Sequence, residues 1–282
     1  MKKLIALLLT ALLTLALTST FTACGGGSEE DTRPVLKVGM ECGYQPYNWT
    51  QFDNSHGAVP IKNTAAGQYA NGYDVKIAKL IADSLNMKLE IYAYEWGSLV
   101  PACESGALDL IIAGMSPTAE RKLVIDFSDA YLTSNLVVVV RKDGPFANAT
   151  CLADLAGGKI VAQDGTFHAE VASQISNRTG AHMKDFPSMI VALNAKTIDG
   201  YIAEEPGAIA DCNGNPDLKY ISLINNQTGF TVEDLTNVTI AIGVQKGSAL
   251  LAQVNGALAN ITDATRMQLL NEAIEQAAVL GL

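Results

Sequence analysis

Hydrophobic and polar positions change period along this chain in a repeated order. VLKVGM (35–40) alternates as a half-buried strand does. YDVKIAKLIADSLN (73–86) puts Val75, Ile77, Ala78, Leu80, Ile81 and Leu85 on one helical face, and KLEIYAYE returns to strand periodicity. SLVPACESG predicts a helix closing near Gly106, and LDLIIAGM a buried strand. The cycle restarts at NLVVVVRKDG (135–144) and passes through helix CLADLAG, strand KIVAQ, helix HAEVASQISNRTG, MIVALNAKT and strand IDGYIAEE. Strand VTIAIGVQKG (238–247) and two amphipathic helices close it. Alternating strands and helices predict an α/β fold with mainly parallel sheet covered by helices. Two such halves, with a last segment free to return to the first, predict two lobes and a cleft.

Three stretches stand outside this rhythm. Residues 54–72 are turn-rich and read as a long surface loop. Residues 24–33 are a Gly/Ser/acidic tether. Met1-Lys2-Lys3, the apolar run Leu4–Leu17 and the small residues Thr22 and Ala23 form the three regions of a secretory signal. Cys24 follows directly, with Gly25–Gly27 behind it, in the manner of a bacterial lipobox; Phe21 stands where leucine is commoner. A lipid on Cys24 would anchor an exported protein to the outer face of the cell membrane.

Composition narrows the class. With 49% hydrophobic and 17% charged residues the chain can bury a globular core. Its net charge is −10, and the leader's two lysines make the remainder more acidic still. That argues against nucleic acid as a partner, since phosphate binding needs a basic face. Cys42, Cys103, Cys151 and Cys212 match no zinc spacing; in an exported chain they could pair 42–103 and 151–212, one of three connectivities. His56, His168 and His182 show no metal-ligand spacing, no phosphate loop or nucleophile elbow is present, and no metal or cofactor is expected.

Ligands in open α/β sheets sit beyond the carboxyl ends of strands, so polar residues there carry most weight. Ser116 and Pro117 predict a helix N-terminus, and Arg121 near it is a cation wanting an anion; a surface pair with Glu120 or Asp126 is the plainer alternative. In AQDGTFHAE (162–170), Gly165 lets backbone approach and Thr166 opens a second helix; an ordinary capped turn would look the same. In YIAEEPGA (201–208), Glu204 and Glu205 follow a strand and precede Pro206, which is expected to end regular structure. A carboxylate there could take an ammonium group or be a solvated acidic turn. Glu41 follows the first strand with Tyr44, Tyr47 and Trp49 near it, and Trp96 follows the third. A carboxylate beside aromatics suits a cation. Tyr44 and Trp96 are the candidates for ligand contact, and Tyr47 and Trp49 for core.

GYDVKIAKLIADSLN, GSLVPACESGALDLIIAGMSPTAERKLVIDFSDAYLTS and VAQDGTFHAEV together resemble the polar amino-acid-binding proteins of ABC importers, from about Val35 onward. The resemblance implies a two-lobe periplasmic-binding-protein-like fold (type II) with two crossing strands as hinge: lobe 1 at 34–133, lobe 2 at 134–243 and a return at 244–282. It implies that Arg121 grips an α-carboxylate, helped by Gly114, Met115, Ser116, Gly165, Thr166 and Phe167. Glu204, where relatives often have aspartate, would take the α-ammonium. Tyr44 and Trp96 would line the side-chain pocket. Partners would be a free amino acid and a membrane permease, with the protein a monomer.

An α-amino acid brings one anion and one cation, matched by Arg121 and Glu204. Glu41 is then a spare buried charge unless the ligand is itself cationic, which points to arginine or lysine. Alternatives are a neutral polar ligand such as glutamine, a cyclohexadienyl-dehydratase-like enzyme on the same fold with Glu204 or Glu41 as general acid, and a sensory or adhesive lipoprotein that binds without importing.

Overall fold

The computed structural model describes residues 31–280, so the leader and Cys24 lie outside the described residues. A compact unit begins at Arg33. Its first lobe is built on a five-stranded sheet in the order Lys88–Ala93, Val35–Met40, Leu110–Ile111, Thr239–Gln245, Ile125–Thr133. Its second lobe is built on four strands in the order Ile160–Val161, Gly200–Glu204, Leu136–Arg141, Leu218–Ile221. The two-lobe α/β fold is therefore as expected, and two passages of the chain join the lobes. Ile125–Thr133 in the first sheet runs almost directly into Leu136–Arg141 in the second. The return passage enters Thr239–Gln245, and Ser134 N–H donates to the Val238 carbonyl where the two passages meet, at 3.1 Å.

The details correct several expectations. Sheet pairing is mixed rather than mainly parallel. Val35–Met40 pairs in parallel with both of its neighbours, but Thr239–Gln245 and Leu136–Arg141 pair antiparallel on both sides. The strands adjoining the crossings enter their sheets against the direction set by the strand–helix–strand units. Thr239–Gln245 lies wholly in the first sheet, so the chain has returned by residue 239, ahead of the expected boundary after 243. The segment 54–72 is not all loop. Val59–Pro60 and Tyr69–Asn71 join Gly43–Tyr44 and Asn48–Gln51 in a small antiparallel sheet. The four cysteines are free thiols. On helix Tyr73–Ser84, Val75, Ile77, Ala78 and Ile81 are buried as expected, but Leu80 turns outward at 38% exposure.

No α-helix starts at Ser116. A single 3₁₀ turn, Arg121–Leu123, precedes the strand at Ile125. The Ser116 carbonyl is taken instead by Thr118 N–H at 3.0 Å and by Arg121 Nη1 at 2.7 Å, and the Thr118 carbonyl accepts from Lys122 N–H at 3.0 Å. Pro206 likewise opens a helix, Glu205–Gly214, rather than ending regular structure. Proline in a first turn lacks only an N–H that would be unpaired there.

Gly72 joins the small sheet to helix Tyr73–Ser84 with φ +126°, and a Cβ on it would meet the Tyr47 carbonyl oxygen at 2.3 Å. Gly72→Ala is expected to destabilise the protein by more than about 1 kcal/mol, because both conformation and space forbid the methyl. Urea unfolding checks this, and an unchanged midpoint contradicts it.

Candidate functional site

The polar residues that follow the strands converge on the cleft between the lobes. A wide cleft of about 1190 Å³ is lined by Glu41, Trp96, Met115, Arg121, Gly165 and Thr166 among others. It shares Trp96, Arg121 and Thr166 with a small inner cavity of about 10 Å³, which Tyr44, Gly114, Ser116, Phe167 and Glu204 also line. The eleven residues singled out from the sequence thus all face one of these two connected spaces. Gln163, His168 and Phe186 line the inner cavity as well, and none of them was singled out. His168 carried a local signal, two positions beyond Thr166 in a helix first turn; Phe186 carried none.

Arg121 sits at the neck. Its Nη1 donates to the Ser116 carbonyl at 2.7 Å and its Nη2 to the Gly165 carbonyl of the other lobe at 3.0 Å. The guanidinium lies over the Trp96 ring, 4.9 Å from its centroid, and Trp96 Nε1 also donates to the Gly165 carbonyl at 3.1 Å. Burial lowers the Arg121 pKa to about 10, so it stays charged at neutral pH. Gly114 turns the chain here with φ +60°, and Tyr44 packs where its side chain would be. Thr166 is the N-cap of helix Phe167–Val171, accepting from Ala169 N–H at 3.3 Å and donating to the Gln163 carbonyl at 2.6 Å. A helix this short cannot serve as an anion site by its dipole alone, and the segment after Val171 tightens into a 3₁₀ turn rather than continuing the expected helix to Gly180.

Glu204 ends the strand Gly200–Glu204 and is 4% exposed. Its Oε2 accepts from the Tyr44 hydroxyl of the other lobe, and its Oε1 lies 2.9 Å from His168 Nε2. Tyr44 itself stacks on Phe186 with centroids 3.9 Å apart. Burial pushes the Glu204 carboxyl up to about 8. Burial, with Arg121 near, pushes His168 down to about 3, so the imidazole is neutral.

Glu41 Oε1 accepts from Gln163 Nε2 across the cleft at 2.8 Å. Its Oε2 is buried with no hydrogen-bond partner among the described residues. Burial raises this carboxyl to about 7, with Asp185 adding to the shift. Six carboxylates (Glu41, Glu95, Glu120, Asp164, Glu170, Asp185) and two cations (Arg121, Lys184) line the wide cleft. Among the described residues no cluster of His, Cys, Asp and Glu could hold a metal ion.

Two lobes, two crossing passages and a polar cleft between them define a solute-binding protein. The chain belongs to the bacterial extracellular solute-binding proteins, family 3, whose sequence profile matches residues 36–274. It is 30% identical over 225 residues to the arginine-binding extracellular protein ArtP of Bacillus subtilis, covering 78% of this chain and 79% of that one. It is 28% identical to a probable histidine-binding protein of Campylobacter jejuni, covering 74% of this chain and 75% of that one. Its fold matches an amino acid ABC transporter substrate-binding protein of Streptococcus pneumoniae bound to L-arginine, with TM-score 0.73, 26% identity and coverage of 86% and 94%. This is the family that the sequence resembles. The chain is an exported binding protein, and not an enzyme.

The raised carboxyls have a consequence for stability. A carboxyl whose pKa is higher folded than unfolded contributes fully below its unfolded pKa, and the contribution is lost as pH rises through the folded value. The loss therefore begins in the ordinary carboxyl range, at about pH 4, and is complete only above about 7 for Glu41 and Asp211 and above about 8 for Glu204. His168 and His182 are lowered in the fold, so their contributions are already complete above the unfolded histidine pKa of about 6.5. Without added amino acid, the melting temperature is expected to fall between about pH 6.5 and about pH 8. A flat or rising profile contradicts burial as the cause of the shifts.

Proposed function

We propose that this protein captures a cationic amino acid, arginine or lysine, for an ABC importer, acting as a monomer tethered to the outer face of the cell membrane through lipid on Cys24. Arg121 takes the ligand α-carboxylate, exchanging its two carbonyl partners for a bidentate carboxylate. Backbone and hydroxyl groups of Gly114, Met115, Ser116, Gly165, Thr166 and Phe167 surround that end. Glu204 takes the α-ammonium, Tyr44 and Trp96 flank the ligand, and Glu41 receives the side-chain cation. An inner cavity of about 10 Å³ has room for about one water. An amino acid therefore reaches Glu204 only when the lobes part or Tyr44 swings aside.

The observation that carries the cationic reading is the orphaned Oε2 of Glu41. A buried acceptor without a donor is costly, and a guanidinium or ammonium on the ligand supplies one. The surrounding carboxylates favour the same sign of charge and steer it inward. Relatives named for arginine and histidine binding point the same way. A carboxyl with a pKa of about 7 can also hold a proton and donate it, which would suit glutamine. A thermal-shift panel of all amino acids on ligand-stripped protein separates the two. Arginine and lysine are expected to shift the transition by several degrees, and a shift with glutamine alone overturns the cationic reading.

Glu41→Gln is expected to cut arginine affinity at least about tenfold and leave glutamine affinity within a few-fold, as calorimetry would read it. Equal losses for both ligands contradict the role given to Glu41. Cys24→Ser is expected to move the protein from the membrane fraction to the medium, and retention on the membrane contradicts the lipid anchor.

A further inference from the structure

The inner cavity contains a histidine to which neither the carboxylate-gripping arginine nor the orphaned glutamate gives a role. His168 is 6% exposed, on the first turn of helix Phe167–Val171, a position fixed by the Thr166 cap. Its Nε2 lies 2.9 Å from Glu204 Oε1. Its ring meets Phe186 edge-on, at 86° and 6.3 Å between centroids, which restrains the plane of the imidazole. Its Nδ1 is buried and has no hydrogen-bond partner among the described residues, so no second contact draws the ring away from Glu204. With Tyr44 on the other carboxylate oxygen, both oxygens of Glu204 are held, one from each lobe.

We propose that His168 is a specificity-determining residue of this site, fixing the Glu204 carboxylate so that the site demands a free α-ammonium group on its ligand. The proposal rests on the reading of the cleft as an amino-acid site.

The physical argument is one of direction and charge. A carboxylate has about four acceptor positions, and two held donors leave the remainder aimed at a fixed place. A donor that is itself neutral orients the carboxyl without forming an ion pair, so a group that burial holds up at about 8 is left for the ligand's ammonium to ionise. A lysine or arginine in the same place would form an ion pair and compete with the ligand's ammonium. The neutrality of His168 is supported by its burial and by Arg121 beside it. A site whose buried polar groups are directed in this way rejects analogues that lack the matching donor, because the group is then left unpaired. Without His168 the carboxylate can turn, and the difference between a ligand with the ammonium and one without it shrinks.

The test compares arginine with 5-guanidinopentanoate, the same molecule lacking the α-amino group, by calorimetry on the full mature protein. The wild type is expected to prefer arginine by at least about a hundredfold. His168→Leu is expected to lower the affinity for arginine about tenfold and to leave the analogue nearly unchanged, so that the preference falls about tenfold. His168→Gln, which keeps an N–H donor, is expected to restore most of it. Equal losses for both ligands, or an unchanged ratio, overturn the proposal while leaving the amino-acid reading intact. Absence of arginine binding to the wild type overturns both together.

If His168→Leu does not fold, nitrogen NMR on histidine-labelled wild-type protein decides. A neutral ring protonated on Nε2 is expected at neutral pH, with its signal moved by arginine and not by the analogue. A ring protonated on Nδ1, or a signal indifferent to arginine, overturns the assignment.

Discussion

One buried carboxylate, Asp74, holds together the pieces from which the site is made. It is fully buried at the start of helix Tyr73–Ser84. It accepts from Asn48 Nδ2 of the small sheet at 2.8 Å, from the Tyr131 hydroxyl of the crossing strand at 2.6 Å, and from the backbone N–H of Gly114. Burial raises its pKa to about 6, against the pull of those three donors. An ionised group in such a place is tolerated only because its acceptor positions are filled. The constraint runs outward from there. Gly114 leads to Ser116 and Arg121, Asn48 leads back to Cys42 by accepting its N–H at 2.7 Å and so to Glu41 and Tyr44, and Tyr131 leads into the hinge. The first-lobe residues that would grip a ligand therefore have a common mechanical origin.

That origin explains an asymmetry in the cleft. First-lobe groups are held by a network of side-chain and backbone bonds remote from solvent. Their partners in the second lobe, Gly165, Gln163 and His168, sit on a turn and a helix of one and a half turns, tied mainly by the Thr166 cap and by Gln163 Nε2 donating to the Lys184 carbonyl at 3.0 Å. Arg121, Trp96 and Tyr44 reach across from the rigid side, and the other side answers largely with backbone carbonyls and with Glu204. Rigid donors meeting simpler acceptors suit a trap that must close repeatedly to the same geometry.

Much of this was legible in the chain itself, because it rests on local chemistry. The alternation of strand and helix, the apolar run 136–140 of strand Leu136–Arg141, the Thr166 cap and the convergence of Glu41, Arg121 and Glu204 at strand ends follow from periodicity and strand-end position. Where expectation and structure parted, a longer-range constraint decided. Ser116 and Pro117 carry helix-start chemistry, but the Ser116 carbonyl is taken by Thr118 N–H and the Arg121 guanidinium, and a single 3₁₀ turn precedes the strand at Ile125. Pro206 reads as a terminator, but the strand ending at Glu204 makes it a first-turn proline. His168 has no partner at any sequence spacing; its partner is a glutamate brought to it by the second sheet. Phe186 matters because Tyr44 of the other lobe stacks on it, a contact that no local pattern encodes.

Glu204 lies where site and hinge are the same piece of backbone. It pairs with Leu136, the first residue of the strand that leaves the crossing. The next residue, Glu205, donates its N–H to the Asn135 carbonyl at 3.0 Å and lies 3.2 Å from the Ser134 hydroxyl. Both acceptors belong to the short segment between the lobes. A change in the backbone angles at residues 134 and 135 is therefore transmitted to the carboxylate without an intervening chain of side chains. Tyr44 contributes the complementary link, since its hydroxyl reaches Glu204 from the first lobe. A ligand ammonium arriving at Glu204 alters the balance between lobe contact and lobe separation at the point where the hinge is anchored. Coupling of this kind needs only two packed arrangements that the ligand favours unequally, and the position of Glu204 beside the crossing makes its occupancy one of the terms that sets that preference.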